Sequence, residues 1–142
     1  MKVYYAHMRC IYGTPQERLE KEQIGSHFPN AEIVDPSLHQ DSHEMSFYVE
    51  LARSCDAIIF SRVDGQIGAG VGKEVNNFVN DRKPAFELLP GGGIAEVKEM
   101  VTHLNVPDTI ALLEKHSFRL PVDEVKDLAR MPKEEKFTTK SM

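Results

Sequence analysis

Residues 56–75 read DAIIFSRVDGQIGAGVGKEV and join a short apolar run to a glycine-rich turn that ends in a lysine and a glutamate. The run from Ala57 to Phe60 is apolar at every position, which is typical of a central parallel strand covered by helices on both faces. After the glycines, apolar residues recur with helical spacing and form one stripe: Val71, Val75, Phe78 and Val79. A buried strand, a glycine turn and a helix over about 70–80 indicate an α/β fold.

The alternation of strand and helix continues on both sides of this stretch. Strands are predicted at 2–6, 31–35, 56–61, 83–89 and 109–114. Helices are predicted at 15–27, 45–55, 70–80 and 94–104. The first helix has a capping box formed by Thr14 and Glu17, with Pro15 at its first position. This order predicts a single-domain, doubly wound parallel sheet of about five strands with right-handed crossovers.

The length and charge of the chain restrict its organisation and its partners. It has 142 residues and a formal net charge of -5, with 41% hydrophobic and 27% charged residues. We predict one domain over 1–131, including a short helix over 121–131, and a disordered tail over 132–142. The acidic balance argues against a surface that coats nucleic acid, so we expect small molecules or other proteins as partners and no nucleic-acid polymer.

Neither a membrane span nor a signal peptide is predicted. No apolar run approaches the roughly 20 residues that cross a bilayer, and the first ten residues lack a long apolar segment with a cleavage site. We therefore expect a cytoplasmic protein that does not contact a membrane. Cys10 and Cys55 are too few and too far apart to suggest a disulfide framework, and we expect both to be reduced and buried.

Four loops are predicted to meet in one crevice, because ligands of doubly wound sheets bind beyond the carboxyl ends of the strands, where the strand order reverses. These loops are residues 7–13, 35–44, 61–72 and those around 90. In the second loop, His39 and His43 have the spacing of two ligands on one helical face. No third zinc ligand accompanies them, so we predict no metal site.

The glycine turn fails both common phosphate-binding motifs. A P-loop requires glycine at position 67 and a hydroxyl residue at 74, where this chain has Ile67 and Glu74. The dinucleotide fingerprint beginning at Gly68 requires glycine at 73, where this chain has Lys73. The remaining pattern, GxGxGKE, places Glu74 in the first turn of the helix. Glu74 is then one of two things. It is either an ordinary acidic residue favoured there by the helix dipole, or an ionised nucleophile that a substrate approaches past the glycines, which carry no side chains.

Three stretches carry a resemblance to a known family: MKVYYAHMRCIYG at 1–13, DAIIFSRVDG at 56–65 and GAGVGKEVNNFVNDRKPAFEL at 68–88. Over about residues 1–90 the chain resembles the nucleoside 2-deoxyribosyltransferase family and its nucleoside 5′-monophosphate N-glycosidase relatives. The family pattern joins an apolar strand that begins with aspartate to a glycine loop, a glutamate that opens a helix, and a Lys-Pro pair before the next strand. The matching positions are Asp56, Gly70, Gly72, Glu74, Lys83 and Pro84.

The resemblance implies a flavodoxin/Rossmann-like fold and an enzyme that cleaves the bond between base and sugar without a cofactor. Glu74 is then the nucleophile that forms a glycosyl-enzyme intermediate, which a transferase passes to a second base and a hydrolase passes to water. The implied substrate is a nucleoside or nucleotide. A homodimer or higher homo-oligomer is also implied, because active sites of the family borrow residues from a neighbouring subunit.

Two departures from the family pattern leave the general acid open. The family carries aspartate eight positions before the strand-opening aspartate, where this chain has Tyr48, and aspartate or serine six positions before the glutamate, where it has Gly68. The candidates for the missing acid are Asp64, Glu44 and Tyr48. Asp64 precedes a glycine, and an Asp-Gly pair is equally typical of a turn.

The predicted crevice supplies the candidate substrate contacts. Family hydrolases grip a 5′-phosphate with the first strand-to-helix loop, so Arg9 is a candidate phosphate contact, and His7 is either a base contact or structural. The expected contacts are Tyr5, His7, Arg9, Tyr12, Gly13, Asp35, Glu44, Gly68, Gly70 and Gly72. Two other functions stay open: a non-catalytic nucleotide or ADP-ribose-like sensing module on the same fold, and an unrelated flavodoxin-like binding domain.

Overall fold

A computed structural model of the protein describes residues 1–39 and 45–118. Its strands are β1 (Lys2–Ala6), β2 (Glu32–Val34), β3 (Ala57–Phe60), β4 (Ala85–Leu88) and β5 (Ile94–Glu96). Its α-helices are α1 (Pro15–His27), α2 (Met45–Arg53), α3 (Ala69–Asn80) and α4 (Val106–Lys115). The strands form one sheet in the order β2-β1-β3-β4-β5, in which β1 to β4 are parallel and β5 is antiparallel to β4. The predicted flavodoxin/Rossmann-like α/β fold is confirmed.

The two faces of the sheet pack against different helices. Tyr4 and Ala6 of β1 lie in a core with residues of α2, α3 and α4, whereas Val3 and Tyr5 lie in a second core with Ile24 of α1. Successive side chains of a strand point to opposite faces, so β1 divides its side chains between the two cores. The side chains on the two faces of β1 therefore pack against different layers of helices.

Two predicted elements near the carboxyl end are wrong in type. The segment 94–104, predicted as a helix, begins with the edge strand β5, because Gly91 and Gly92 adopt φ values of 93° and 100° and turn the chain back along β4. The segment 109–114, predicted as a strand, lies in α4. Asn105 caps that helix, its side chain accepting from Asp108 N at 2.8 Å. The fifth strand is therefore antiparallel, and the predictions for 121–131 and 132–142 lie outside the described residues.

Two of the positions that carry the family resemblance hold the amino end of β3. Asp56 accepts a hydrogen bond of 2.7 Å from the backbone N–H of Lys2. The ammonium of Lys83 donates to the carbonyl oxygens of Arg53 and Cys55, each at 2.9 Å. These contacts lie at the edge of the sheet opposite the carboxyl ends of the parallel strands, so Asp56 and Lys83 stabilise the fold there.

The strand order reverses between β1 and β3, because the chain passes from β1 to β2 on one side and then returns to β3 on the other. The loops that follow these two strands, 7–14 and 61–68, therefore lie at the point where ligands bind in such sheets. Within residues 1–39 and 45–118, no helix combines the length and the apolar character needed to cross a membrane.

Candidate functional site

Glu74 lies in α3 and reaches the middle of β1. The phenol of Tyr4 donates a hydrogen bond of 2.7 Å to Glu74 Oε2. Burial raises the pKa of Glu74 to about 8, although the bond from Tyr4 and the charge of Lys73 both act to lower it. In the free protein the carboxyl group is therefore largely protonated at neutral pH.

The position of Glu74 in its helix differs from the prediction. We expected it in the first turn, where the helix dipole keeps a carboxylate ionised. The helix begins at Ala69 with Gly68 as its N-cap, so Glu74 is the sixth residue and lies in the second turn. The influence of the helix terminus falls off within the first turn, and burial then dominates the pKa.

A second tyrosine, Tyr12, interacts electrostatically with this carboxyl group. Burial and the charge of Glu74 raise the pKa of Tyr12 well above its ordinary value, with a smaller contribution from Tyr48 of α2. Arg9, in the 3-10 turn Arg9–Ile11, places its guanidinium carbon 5.8 Å from the centre of the Tyr12 ring. The predicted residues Arg9 and Tyr48 thus interact electrostatically with Tyr12, as Glu74 does, and Tyr12 is a neutral phenol.

Asp64 makes different contacts from those of Glu74. Asp64 and Gly65 adopt φ values of 52° and 74°, and a pair of backbone hydrogen bonds between Val63 and Gln66 closes a tight turn around them. Both positive values are typical of an Asp-Gly hairpin turn. The Asp64 carboxylate accepts from Lys115 at 2.8 Å and contacts the imidazole of His116 at 3.0 Å, and these bonds lower its pKa. The structure therefore supports the interpretation of Asp64 and Gly65 as a turn. Glu44, another candidate for the general acid, lies outside the described residues.

The glycines of the α3 turn serve packing. A Cβ atom at Gly68 would lie 3.2 Å from the methyl group of Met8, and one at Gly72 would lie 2.2 Å from the ring of His103. Gly72 is thus needed for the close approach of His103 to α3. Gly70 lies in the first turn of α3 and is half-buried.

Four predicted substrate contacts contact α1 instead of Glu74. Tyr5 donates to Glu20 Oε1 at 2.5 Å, on the face of the sheet opposite to Tyr4. His7 Nε2 lies 2.7 Å from Glu17 Oε2, and Asp35 is paired with Lys21. Glu17 Oε1 also accepts from the backbone N–H of Gly13, which adopts a φ of 73°. Burial alone would raise the pKa of Asp35, but hydrogen bonds from Lys21 and Ser37 outweigh it and lower the pKa.

A crevice of about 420 Å³ opens on the α1 side of the sheet. Part of the lining comes from the loops after β3 and β4, which confirms that these two predicted loops meet. The buried carboxylate of Glu20 lies at this crevice and accepts from Ser61 at 2.7 Å and from Gln16 at 2.8 Å. Arg62, on the rim, forms two hydrogen bonds with Glu87, at 2.8 and 3.2 Å.

Sequence reasoning missed Tyr4, Glu17 and Glu20. Tyr4 and Tyr5 are adjacent on a strand buried on both faces, so no apolar-polar alternation indicates which of them faces α3. The sequence predicts only a capping role for Glu17, whereas its side chain contacts His7 and Gly13. The sequence does indicate that Glu17 and Glu20 face the core. They lie three residues apart on the same helical face as the apolar Ile24.

Comparisons of the chain with protein-family models, with curated proteins and with solved structures found no match.

Proposed function

We propose that the protein is an N-glycosidic-bond enzyme that acts on nucleosides or their 5′-monophosphates and uses Glu74 as its nucleophile. The observation that carries this proposal is the contact between Glu74 and Tyr4: a carboxyl group, held through one oxygen by a buried phenol, in the helix that follows the glycine turn. The matching positions of the family resemblance, Gly70, Gly72 and Glu74, lie in that same helix. Together they support a fixed carboxylate at a sugar-binding site.

In the proposed reaction, Tyr4 holds Glu74 Oε2 and the ionised carboxylate attacks with Oε1. The bond between the anomeric carbon and the base nitrogen breaks as the bond from Oε1 to that carbon forms, and the base leaves with the electron pair and takes up a proton from water. Water or a second base then attacks the anomeric carbon, gives up a proton to solvent and releases the Glu74 carboxylate. Because the pKa of Glu74 is about 8, the reactive form increases as the pH rises towards that value.

Tyr12 is the proposed hydrogen-bond donor to the departing base. Burial and Glu74 keep its phenol neutral, so it retains its proton throughout the neutral range. A phenol in this position stabilises negative charge that develops on the base, which is the role left open by the absence of aspartate at positions 48 and 68. Arg9, beside the Tyr12 ring, is the proposed contact for a 5′-phosphate.

A second candidate function is a non-catalytic nucleotide or ADP-ribose-like sensing module. The protonated state of Glu74 favours it, because a neutral carboxyl group is a good hydrogen-bond donor to a ligand and a poor nucleophile. Under this alternative the ligand binds without any change in its glycosidic bond.

The test is incubation of the full chain with a panel of nucleosides and 5′-monophosphates, with and without a free acceptor base, followed by chromatography. Release of free base indicates a hydrolase and exchange of bases indicates a transferase. Glu74→Gln should abolish either activity, whereas Glu114→Gln, an exposed glutamate of α4, should preserve it. Binding of a nucleotide without turnover would support the sensing module, and turnover that survives Glu74→Gln would contradict the proposed nucleophile.

A further inference from the structure

His7, Glu17 and Asp35 converge on one point at the carboxyl ends of β1 and β2. All three residues are buried, and each offers a ligand atom that lies within 4.8 Å of the other two. His7 Nε2 is 2.7 Å from Glu17 Oε2 and 3.9 Å from Asp35 Oδ1. Two ligands of one zinc ion, each about 2.0–2.2 Å from it, lie roughly 3–3.5 Å apart, so these distances bracket the separation that a metal site requires.

The hydrogen-bond partners of these three side chains are of the kind that usually hold metal ligands in place. A ligating histidine usually donates its other ring N–H to a carbonyl or carboxylate, which leaves the first nitrogen free for the metal. His7 Nδ1 lies 3.0 Å from the carbonyl oxygen of Tyr5, which can only accept, so Nδ1 is the donor in that bond, and an ion at Nε2 would replace the contact of Nε2 with Glu17 Oε2. Each carboxylate is in turn held by a backbone N–H, Glu17 by that of Gly13 at 3.2 Å and Asp35 by that of Ser37 at 2.8 Å.

Lys21 places its ammonium where a cation is favoured. It pairs with Asp35 and lies 3.7 Å from Glu17 Oε1. When the Lys21 ammonium moves away from the two carboxylates, a single divalent ion can neutralise the negative charges of Glu17 and Asp35. The Lys21 side chain is 32% exposed, so its ammonium can move into solvent.

We propose that His7, Glu17 and Asp35 form a binding site for one divalent first-row metal ion, with Lys21 as the built-in competitor for that position. One nitrogen and two carboxylate oxygens suit Zn²⁺ and Mn²⁺. The bound ion ties the ends of β1 and β2 to α1, beside the loop 7–14 that carries Arg9 and Tyr12. The site lies on the α1 side of the sheet.

The test is calorimetric titration of Zn²⁺ into the full chain after removal of metal with a chelator, with thermal unfolding measured in parallel. One ion should bind per chain and raise the unfolding temperature. Lys21→Met should bind Zn²⁺ at least about tenfold more tightly, because no ammonium has to be displaced. Glu17→Gln and Asp35→Asn, which are nearly isosteric, should each weaken binding by about 10–100-fold.

The matched control is Lys98→Met, which removes an exposed lysine next to Glu96 and should leave Zn²⁺ binding unchanged. Visible absorption of bound Co²⁺ provides a second measurement that does not depend on stability, and His7→Gln should abolish it. The proposal is overturned if neither the unaltered protein nor Lys21→Met binds Zn²⁺ at millimolar concentration. It is also overturned if binding persists unchanged in Glu17→Gln and Asp35→Asn. Because the readout is binding and not turnover, it fails or succeeds independently of the proposed function.

Discussion

The Tyr4 phenol donates a hydrogen bond of 2.7 Å to Glu74, which connects the middle of β1 to the second turn of α3. The next residue, Tyr5, donates to Glu20 on the opposite face of the same strand. Two adjacent tyrosines therefore bind two different carboxyl groups in two different layers of the protein. This arrangement separates the Glu74 site from the α1 side and supplies matched variants for testing it.

Tyr4→Phe should raise the pKa of Glu74 above about 8, because the bond from Tyr4 is one of the two influences that lower it. At pH 7 the ionised fraction then falls, and kcat/KM for base release should fall about tenfold for each unit of pKa. Removal of the hydroxyl should also lower the free energy of unfolding by about 1–3 kcal/mol. The pH dependence of base release and urea denaturation measure the two effects.

The control for this variant is Tyr5→Phe, which removes the same hydroxyl from the other face of β1. It should lower stability by a similar amount, because Glu20 loses a donor, but it should not move the pH dependence of base release. If both variants shift the apparent pKa of base release by the same amount, the Tyr4 hydroxyl has no specific effect on Glu74.

Stability should fall as the pH rises from about 4.5 to about 8 because of Glu74. Its folded pKa of about 8 lies above its ordinary value of 4.5, so in this range the folded state holds a proton that the unfolded state has lost. For one group the slope is at most about 1.4 kcal/mol per pH unit. Urea unfolding at several pH values should show this slope in the unaltered protein and a flatter one in Glu74→Gln. Identical slopes would mean that Glu74 is ionised in the folded protein.

Gly72→Ala should destabilise the protein by about 1–3 kcal/mol, because the added methyl group would lie 2.2 Å from the ring of His103. Gly25→Ala is the matched change, since Gly25 also lies inside a helix and its Cβ would have no atom within 4 Å. It should stabilise the protein by up to about 1 kcal/mol through helix propensity. Thermal unfolding of both variants checks this contrast, and a stabilising Gly72→Ala would show that His103 does not pack against α3.

Lys83→Met should lower the free energy of unfolding by about 1–3 kcal/mol, because the carbonyl groups of Arg53 and Cys55 lose their shared donor. Lys98→Met removes a lysine whose side chain is 79% exposed and should change stability by less than about 0.5 kcal/mol. Urea denaturation of the two variants measures the difference. If both variants behave alike, Lys83 is not a structural residue of the sheet.

Local signals sufficed to predict the first part of the fold. The N-cap Thr14, which accepts from the backbone N–H of Glu17, fixes the start of α1, and the apolar stripe from Val71 to Val79 identifies α3, because both depend on residues close in sequence. Beyond β4, the segments 94–104 and 109–114 had apolar patterns compatible with either element type. Their outcome was decided by the turn at Gly91 and Gly92, which leads into an antiparallel strand where the sequence predicted a helix, and by the Asn105 cap of α4.

The candidate site was predictable only in part, for a geometric reason. Glu74 stood out because its motif is local, but its partner Tyr4 is 70 residues away. A strand buried on both faces does not indicate which of Tyr4 and Tyr5 points towards α3. The cluster of His7, Glu17 and Asp35 comes from three elements, and its spacing matches no sequence motif. Such groupings depend on how the strands are ordered, which is set by packing between distant segments.

The most direct test of the central claim is intact-mass and peptide-mapping mass spectrometry of the protein, rapidly quenched in acid during turnover of a nucleoside or 5′-monophosphate. The proposed mechanism predicts a glycosyl adduct on the peptide that contains Glu74 and its absence in Glu74→Gln. Base release without any adduct on that peptide, or release at an unchanged rate in Glu74→Gln, would contradict Glu74 as the nucleophile.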